Sequence, residues 1–317
     1  MFRRSQKYVS EHRASPLFWL QTLYLAIVLF LTLVYREFWT PDLLFLMLFV
    51  LFILLGQGKR FFLNFSPFIL LLLTYDSLRG FADELDKRVH YTTMIHFDKF
   101  WGLGQIPTVT FQHWLWHGHL QWYDFYFYGL YTAHFVFPVL LGVYIWLKKP
   151  NHYLRYMSAL VFLSYMGFIT YVIFPAAPPW LASQMGYIPH IEKISTDVWF
   201  AAGIHNASAV YAKLTPNEVA AVPSLHAAYP MLFLLFIRRI FGNRKALWFS
   251  IYPISMWFGV IYMGEHYLFD VTLGIIYAII SYLFINWLFD NYGRQMQSRW
   301  QRTLNKVPFR KKSELPV

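Results

Sequence analysis

Apolar runs long enough to cross a bilayer recur along this 317-residue chain, and no other feature narrows its folding options as much. Crossing the hydrocarbon core takes roughly 17 to 25 apolar residues in a helix. A helix is the one single-segment structure that satisfies all its backbone N–H and C=O groups away from water. Such runs lie near 17–34, 40–56, 61–78, 124–147, 155–175, 223–241, 246–263 and 267–289. They predict an all-α, polytopic membrane bundle of about eight transmembrane helices. The composition agrees, with 57% hydrophobic and 14% charged residues, against roughly 25% charged in a soluble domain. The opening MFRRSQKYVSEHR leads into apolar sequence without a small-residue cleavage site, so it reads as a retained first span.

The net charge of +11 could suggest nucleic acid, but the basic residues fall in short clusters between apolar runs, where they act as topology determinants. With the N-terminus cytoplasmic, residues 1–16, GQGKRFF, LKKPNHYLRY, RRIFGNRK and the tail from Asn291 hold most of the 27 lysines and arginines. Both termini are therefore expected inside. The opposite, extracytoplasmic face receives two long connections, about 79–123 and 176–222. The first mixes charges with Trp101, Trp114, Trp116 and Trp122, the composition of interfacial helices in the headgroup layer. The second opens on FPAAPPW, whose prolines end the preceding helix. The chain has no cysteine, which excludes disulfides and thiolate chemistry.

Against this apolar background, a few polar residues need a reason to be where they are. VPSLHAAYP puts Ser224 and His226 at the mouth of a span, with Pro223 suited to its first helical turn. GEHYLFDVTLG places His266 and Asp270 four apart. On one helix face, the carboxylate would take the Nδ1 proton of the imidazole and leave Nε2 as a lone pair. On the predicted topology both histidines stand at helix N-termini on the outer face, where free N–H groups and the helix dipole favour phosphate. Ser224 can add a hydroxyl donor. LLLTYDSLRG ends the third run with Asp76 and Arg79, either a helix-ending ion pair or a guanidinium that grips phosphate while Asp76 holds it. His134, inside the fourth run, is either a satisfied buried histidine or a contact for an acceptor head group. His205 and Asn206 read as solvated loop residues.

This set suits phosphoryl transfer with histidine as nucleophile and a second histidine as acid and base. Helix N-termini, Ser224 and Arg79 would stabilise the equatorial oxygens. His226, His266 and Asp270 could also be read as metal ligands, but no HExxH-like spacing is present, so neither metal nor cofactor is called for.

PSLHAAYP followed by HYLFDVTLG resembles the second and third signature motifs of the type-2 phosphatidic acid phosphatase superfamily. The variant form is that of inositol phosphorylceramide synthases and their bacterial relatives. LLLTYDSLRGFAD, FDKFWGLGQIPTVTFQ, YTAHFVFP and FPAAPPW resemble the same branch, over about residues 66 to 282. The resemblance implies a six-helix phosphatase-like core, His266 as nucleophile oriented by Asp270, and His226 as general acid and base. Val260 stands about where the broader superfamily has an arginine, and its Lys-and-Arg first motif is replaced by YDSLRG. The phosphate clamp thus falls to Arg79 first and Lys213 second.

The expected organisation is an N-terminal segment with two helices over 1–60, a membrane-embedded catalytic unit over 61–290 and a basic cytoplasmic tail over 291–317. The expected function is lipid phosphotransfer through phosphohistidine, with lipids as partners and an accessory subunit left open. A lipid phosphate phosphatase of the same superfamily is the near alternative. A membrane transporter is the distant one, and paired repeats would be its mark.

Overall fold

The computed structural model describes residues 41–79, 88–134, 136–201 and 217–306, together with Trp19, Thr22, Leu23 and Ala26. For Pro41, Asp42, Asp76, Arg79 and residues 303–306 it describes the backbone alone. The predicted first span, His205, Asn206, Lys213 and the last residues of the tail lie outside the described residues.

The described chain is helical throughout, and its only β features are isolated parallel bridges, His90 to Ala176 and Ala176 to Ala220. The N-terminal pair is α1 (Pro41–Leu54) and α2 (Gly58–Arg79). The first long connection carries α3 (Thr92–Trp101) and α4 (Pro107–Leu115). Next come α5 (Trp122–Thr132), α6 (Val136–Lys148) and α7 (Tyr153–Ile173). The second long connection holds α8 (Pro179–Gln184) and α9 (Ile194–Ala201). The chain ends on α10 (Leu225–Phe241), α11 (Asn243–Phe249), α12 (Ile251–Tyr262) and the long α13 (Leu268–Lys306).

Among the described residues two helical stretches, Pro150–Ile173 and Leu268–Arg302, are by themselves long and apolar enough to cross a membrane, and α5 with α6 makes a third if the pair is one span. The predicted fourth span is thus not a straight rod: α5 and α6 meet at 52°. Pro138 lacks the N–H that the carbonyl four residues back, that of His134, would accept. The bend therefore falls at His134. The other runs form shorter helices. The 14 residues of α1 rise about 21 Å at 1.5 Å each, less than the roughly 30 Å hydrocarbon core.

The main core lies between α1, α2, α6, α7, α10 and α13. Aromatic rings dominate its end nearest the turn from α6 to α7: Phe61 stacks on Phe65 at 4.5 Å and on Phe52 at 4.7 Å, with Trp146 edge-on to Phe65. Such pairs each contribute about 0.5–1.5 kcal/mol beyond area burial. Arg155 of α7 donates to Asn286 and Asp290 of α13, both at 2.7 Å, and fastens the same end.

The opposite end is made of short pieces tied to one another. FPAAPPW lies between the start of the described first connection and the end of the second, with His90 N donating to Pro175 O and Ala176 N to Val219 O. Trp180 N reaches the Gly264 carbonyl. Buried Gln112 of α4 donates to the Tyr262 and Glu192 carbonyls and accepts from Glu192 N. Around the corner of α3 and α4, Phe100, Trp101, Leu103 and Trp114 stay exposed.

Candidate active site

Two helix N-termini meet at this end. Ser224 caps α10 by accepting from Ala227 N, and Ser224 N donates to the Asp270 carbonyl in the first turn of α13. Pro223 therefore stands one residue before the cap, not in the first turn. The contact is close because Gly274 faces the Ser224 carbonyl: a Cβ at 274 would lie 2.3 Å from that oxygen.

His266 precedes α13, so it and Asp270 span the start of the helix and do not share a helical face. Asp270 Oδ2 lies 3.3 Å from His266 Nδ1 and accepts from Tyr267 N at 2.9 Å. One oxygen thus caps the helix and orients the imidazole. Across the gap, His266 Nε2 is 3.2 Å from His226 Nδ1. With Nδ1 of His266 donating to the carboxylate, its Nε2 accepts and His226 Nδ1 donates. Asp270 is fully buried and His266 nearly so.

His226 is held from its other side. Tyr131 stacks on its ring at 4.2 Å, and His134 packs against it at 3.9 Å. His134 Nδ1 lies 2.6 Å from the Tyr131 carbonyl. The bend between α5 and α6 thus brings His134 onto the histidine pair. Both pairs open on a cavity of about 50 Å³, whose lining includes Tyr131, His134, His226, Glu265 and His266. Space of that size holds a few waters or one phosphate-sized group.

The structure therefore gathers His226, His266, Asp270 and His134. Ser224 is fully buried and works as the cap. Arg79 and Asp76 end α2, whose Tyr75 lines the cavity, but their side chains, like Lys213, lie outside the described residues. Sequence reasoning missed Asp98, Glu265 and Tyr131. Asp98 of α3 is fully buried and accepts from Leu268 N and Phe269 N, both at 3.0 Å. It caps α13 from 170 residues away. Burial pushes its carboxyl up to about 7, the two N–H groups pull it down, and the Asp270 charge adds a smaller upward push.

The PAP2 superfamily profile matches residues 92–284. The chain belongs to the PAP2 superfamily. The match runs from α3 into α13 and contains both histidines, Asp270, Asp98 and Glu265, while α1 and α2 precede it. Among curated proteins, the chain is 35% identical over 167 residues to a phosphoinositol dihydroceramide synthase of Bacteroides thetaiotaomicron, covering 49% of this chain and 52% of that one. It is 26% identical over 191 residues to an inositol phosphorylceramide synthase of Candida albicans, covering 56% of this chain and 38% of that one. The match thus spans about half the length of the bacterial relative and less of the fungal one. No solved structure matches the chain. Superfamily membership and the apolar helices make it an integral membrane protein.

Proposed function

We propose that the chain is a membrane lipid phosphotransferase that passes a phosphorylated head group from a donor lipid to a lipid alcohol through phosphohistidine. The observation that carries this reading is the row Asp270, His266, His226, with gaps of 3.3 and 3.2 Å, opening on one cavity. In the first half-reaction Nε2 of His266 attacks phosphorus. The bond from phosphorus to the donor's alkoxy oxygen breaks, and His226 gives that oxygen its proton. In the second, His226 takes the proton of the acceptor hydroxyl, whose oxygen attacks phosphorus and releases His266. Donor binding has to part the two imidazoles, because His226 occupies the lone pair that attacks. Asp270 stabilises the imidazolium-like nitrogen and fixes the tautomer, as the carboxylate does in a Ser-His-Asp triad. The free N–H groups of α10, held by the Ser224 cap, and Arg79 complete the phosphate site.

The relatives' printed names point to inositol-containing donors and ceramide-type acceptors, and these are the substrates to try first. The test is to incubate detergent-solubilised protein with labelled phosphatidylinositol or phosphatidic acid and a ceramide. Label in a new lipid supports transfer. Label only in a water-soluble phosphate assigns the phosphatase reading, and label in neither sinks both.

The same reading places about eight spans in the membrane, both termini inside and the cavity on the outer face. A cysteine in place of exposed His190, in the second outer connection, should then react with an impermeant thiol reagent on intact cells. One in place of Asn243, between the basic residues after α10, should not. The reverse pattern would put the cavity inside.

A further inference from the structure

The described lining of the cavity carries acid beside the histidines. Among its described lining residues there is no lysine or arginine, yet there are two carboxylates, Glu265 and Glu218. Glu265 is 5% exposed and adjoins His266 in the chain. A carboxylate so placed costs several kcal/mol unless it is engaged, and it repels a phosphoryl group beside it. Its engagement is partial: Ser195 Oγ of α9 donates to Oε1 at 2.5 Å, and no other hydrogen bond reaches its side chain among the described residues. The oxygen that remains suits a donor brought by the substrate.

Two kinds of donor could satisfy it, an ammonium group or hydroxyls. An ammonium head group would use the carboxylates together with an open aromatic face. Trp180, which lines the same cavity, already carries a cation: Lys193 Nζ sits 3.7 Å from its ring centroid. Burial lowers the affinity of this lysine for its proton, while Glu265 and Glu218 raise it, so its charge answers theirs. With Lys193 offsetting the acids and covering the indole, the remaining vacancy is one for neutral hydrogen-bond donors.

We propose that Glu265, steadied by Ser195 and charge-balanced by Lys193, sets head-group specificity by accepting hydrogen bonds from the hydroxyls of a neutral polyol. This rests on the phosphotransferase reading, and it separates the cavity into a histidine side that holds phosphorus and an acidic side that reads what the phosphate carries. Sites that hydrogen-bond a substrate hydroxyl discriminate strongly, because the site's own groups go unpaired with the wrong ligand.

The test compares kcat/KM for head-group transfer from phosphatidylinositol and from phosphatidylethanolamine, in wild-type full-length protein and in Glu265→Gln and Ser195→Ala. Glu265→Gln should lower the ratio in favour of phosphatidylinositol about 10- to 100-fold, the loss expected for hydrogen bonds to a charged acceptor. Ser195→Ala should move it the same way by less, and it keeps the proposal open to refutation if Glu265→Gln fails to fold. Ratios unchanged in the folded variants overturn the proposal and leave Glu265 a structural ion. A wild-type preference for phosphatidylethanolamine, lost in Glu265→Gln, overturns it in favour of an ammonium site. Wild-type protein that transfers from no lipid defeats the phosphotransferase reading itself, a result distinct from transfer with an unaltered ratio.

Discussion

The two ends of α13 are held by different means. At its N-terminal end polar groups meet it from three directions: Asp98 caps two of its N–H groups, Asp270 turns back to Tyr267 N and His266, and Ser224 N binds the Asp270 carbonyl. Gly274 lets the Ser224 backbone come within a contact that no side chain would allow. Toward its C-terminal end aromatic packing and the half-exposed Arg155–Asp290 pair suffice, and Gly293 meets Phe289 of its own helix at ordinary distance. The C-terminal end needs apolar volume. The N-terminal end needs particular atoms at particular distances, as a site that positions a nucleophile must.

Removing the nucleophile tests the contrast most sharply. His266→Ala should abolish transfer and, with it, acid-labile, base-stable label on the protein after a quench with labelled donor. His226→Ala should retain some labelling when the donor has a good leaving group, because leaving-group protonation then matters less. Label that persists in His266→Ala would falsify the assignment of the nucleophile.

Closing the gap between the helices comes next. Gly274→Ala forces its Cβ against the Ser224 carbonyl, and backbone cannot rotate away as a side chain can. The two helix N-termini must separate, with a cost of about 1–3 kcal/mol from overpacking. A misplacement of about 1 Å at the histidine pair can lower the rate about 100-fold. Thermal unfolding and single-turnover rates would check both. Activity equal to wild type would mean that the close approach does not position the site.

Asp98→Asn should act through pH. A carboxyl raised to about 7 from 3.8 holds its proton more tightly in the folded protein than in the unfolded one. The stability this lends is full below about 4 and is lost as pH rises through about 7. Wild-type thermal midpoints should therefore fall over that interval, and the Asn variant should follow a flatter course. The variant also leaves one of two N–H groups without its acceptor, a loss of about 1–3 kcal/mol. An unaltered pH profile would assign the slope to other groups.

These sites differ in how far the sequence disclosed them. His226, Ser224, His266 and Asp270 stand within two short stretches, and their spacing suggested an oriented imidazole, whereas Ser224 was expected as a phosphate donor and is a helix cap. Asp98 lay in a stretch noticed for its aromatics, but its partners are 170 residues away, and no local pattern marks an acid that caps a distant helix. Glu265 adjoins His266 yet reads as an ordinary turn residue until Ser195 and Lys193 are brought beside it. Hydropathy gave the helical class because apolar length is a local property. It overstated the straightness of the span over 124–147, where Pro138 removes the helical partner of the His134 carbonyl, and that bend is what brings His134 to the site.

The smallest effect belongs to the C-terminal part of α13. Gly293→Ala places a methyl 3.5 Å from Phe289, ordinary van der Waals contact. Glycine inside a helix is less favourable than alanine by roughly 0.5–1 kcal/mol, mainly because more backbone freedom is lost on folding. The variant should thus be as stable as wild type or slightly more so, with unchanged transfer rates. Measured beside Gly274→Ala, it sets the same substitution at two ends of one helix, with opposite signs expected for stability. If Gly293→Ala also lowers activity, rigidity along the whole helix matters to the site, and the division between a tolerant C-terminal end and an exacting N-terminal end fails.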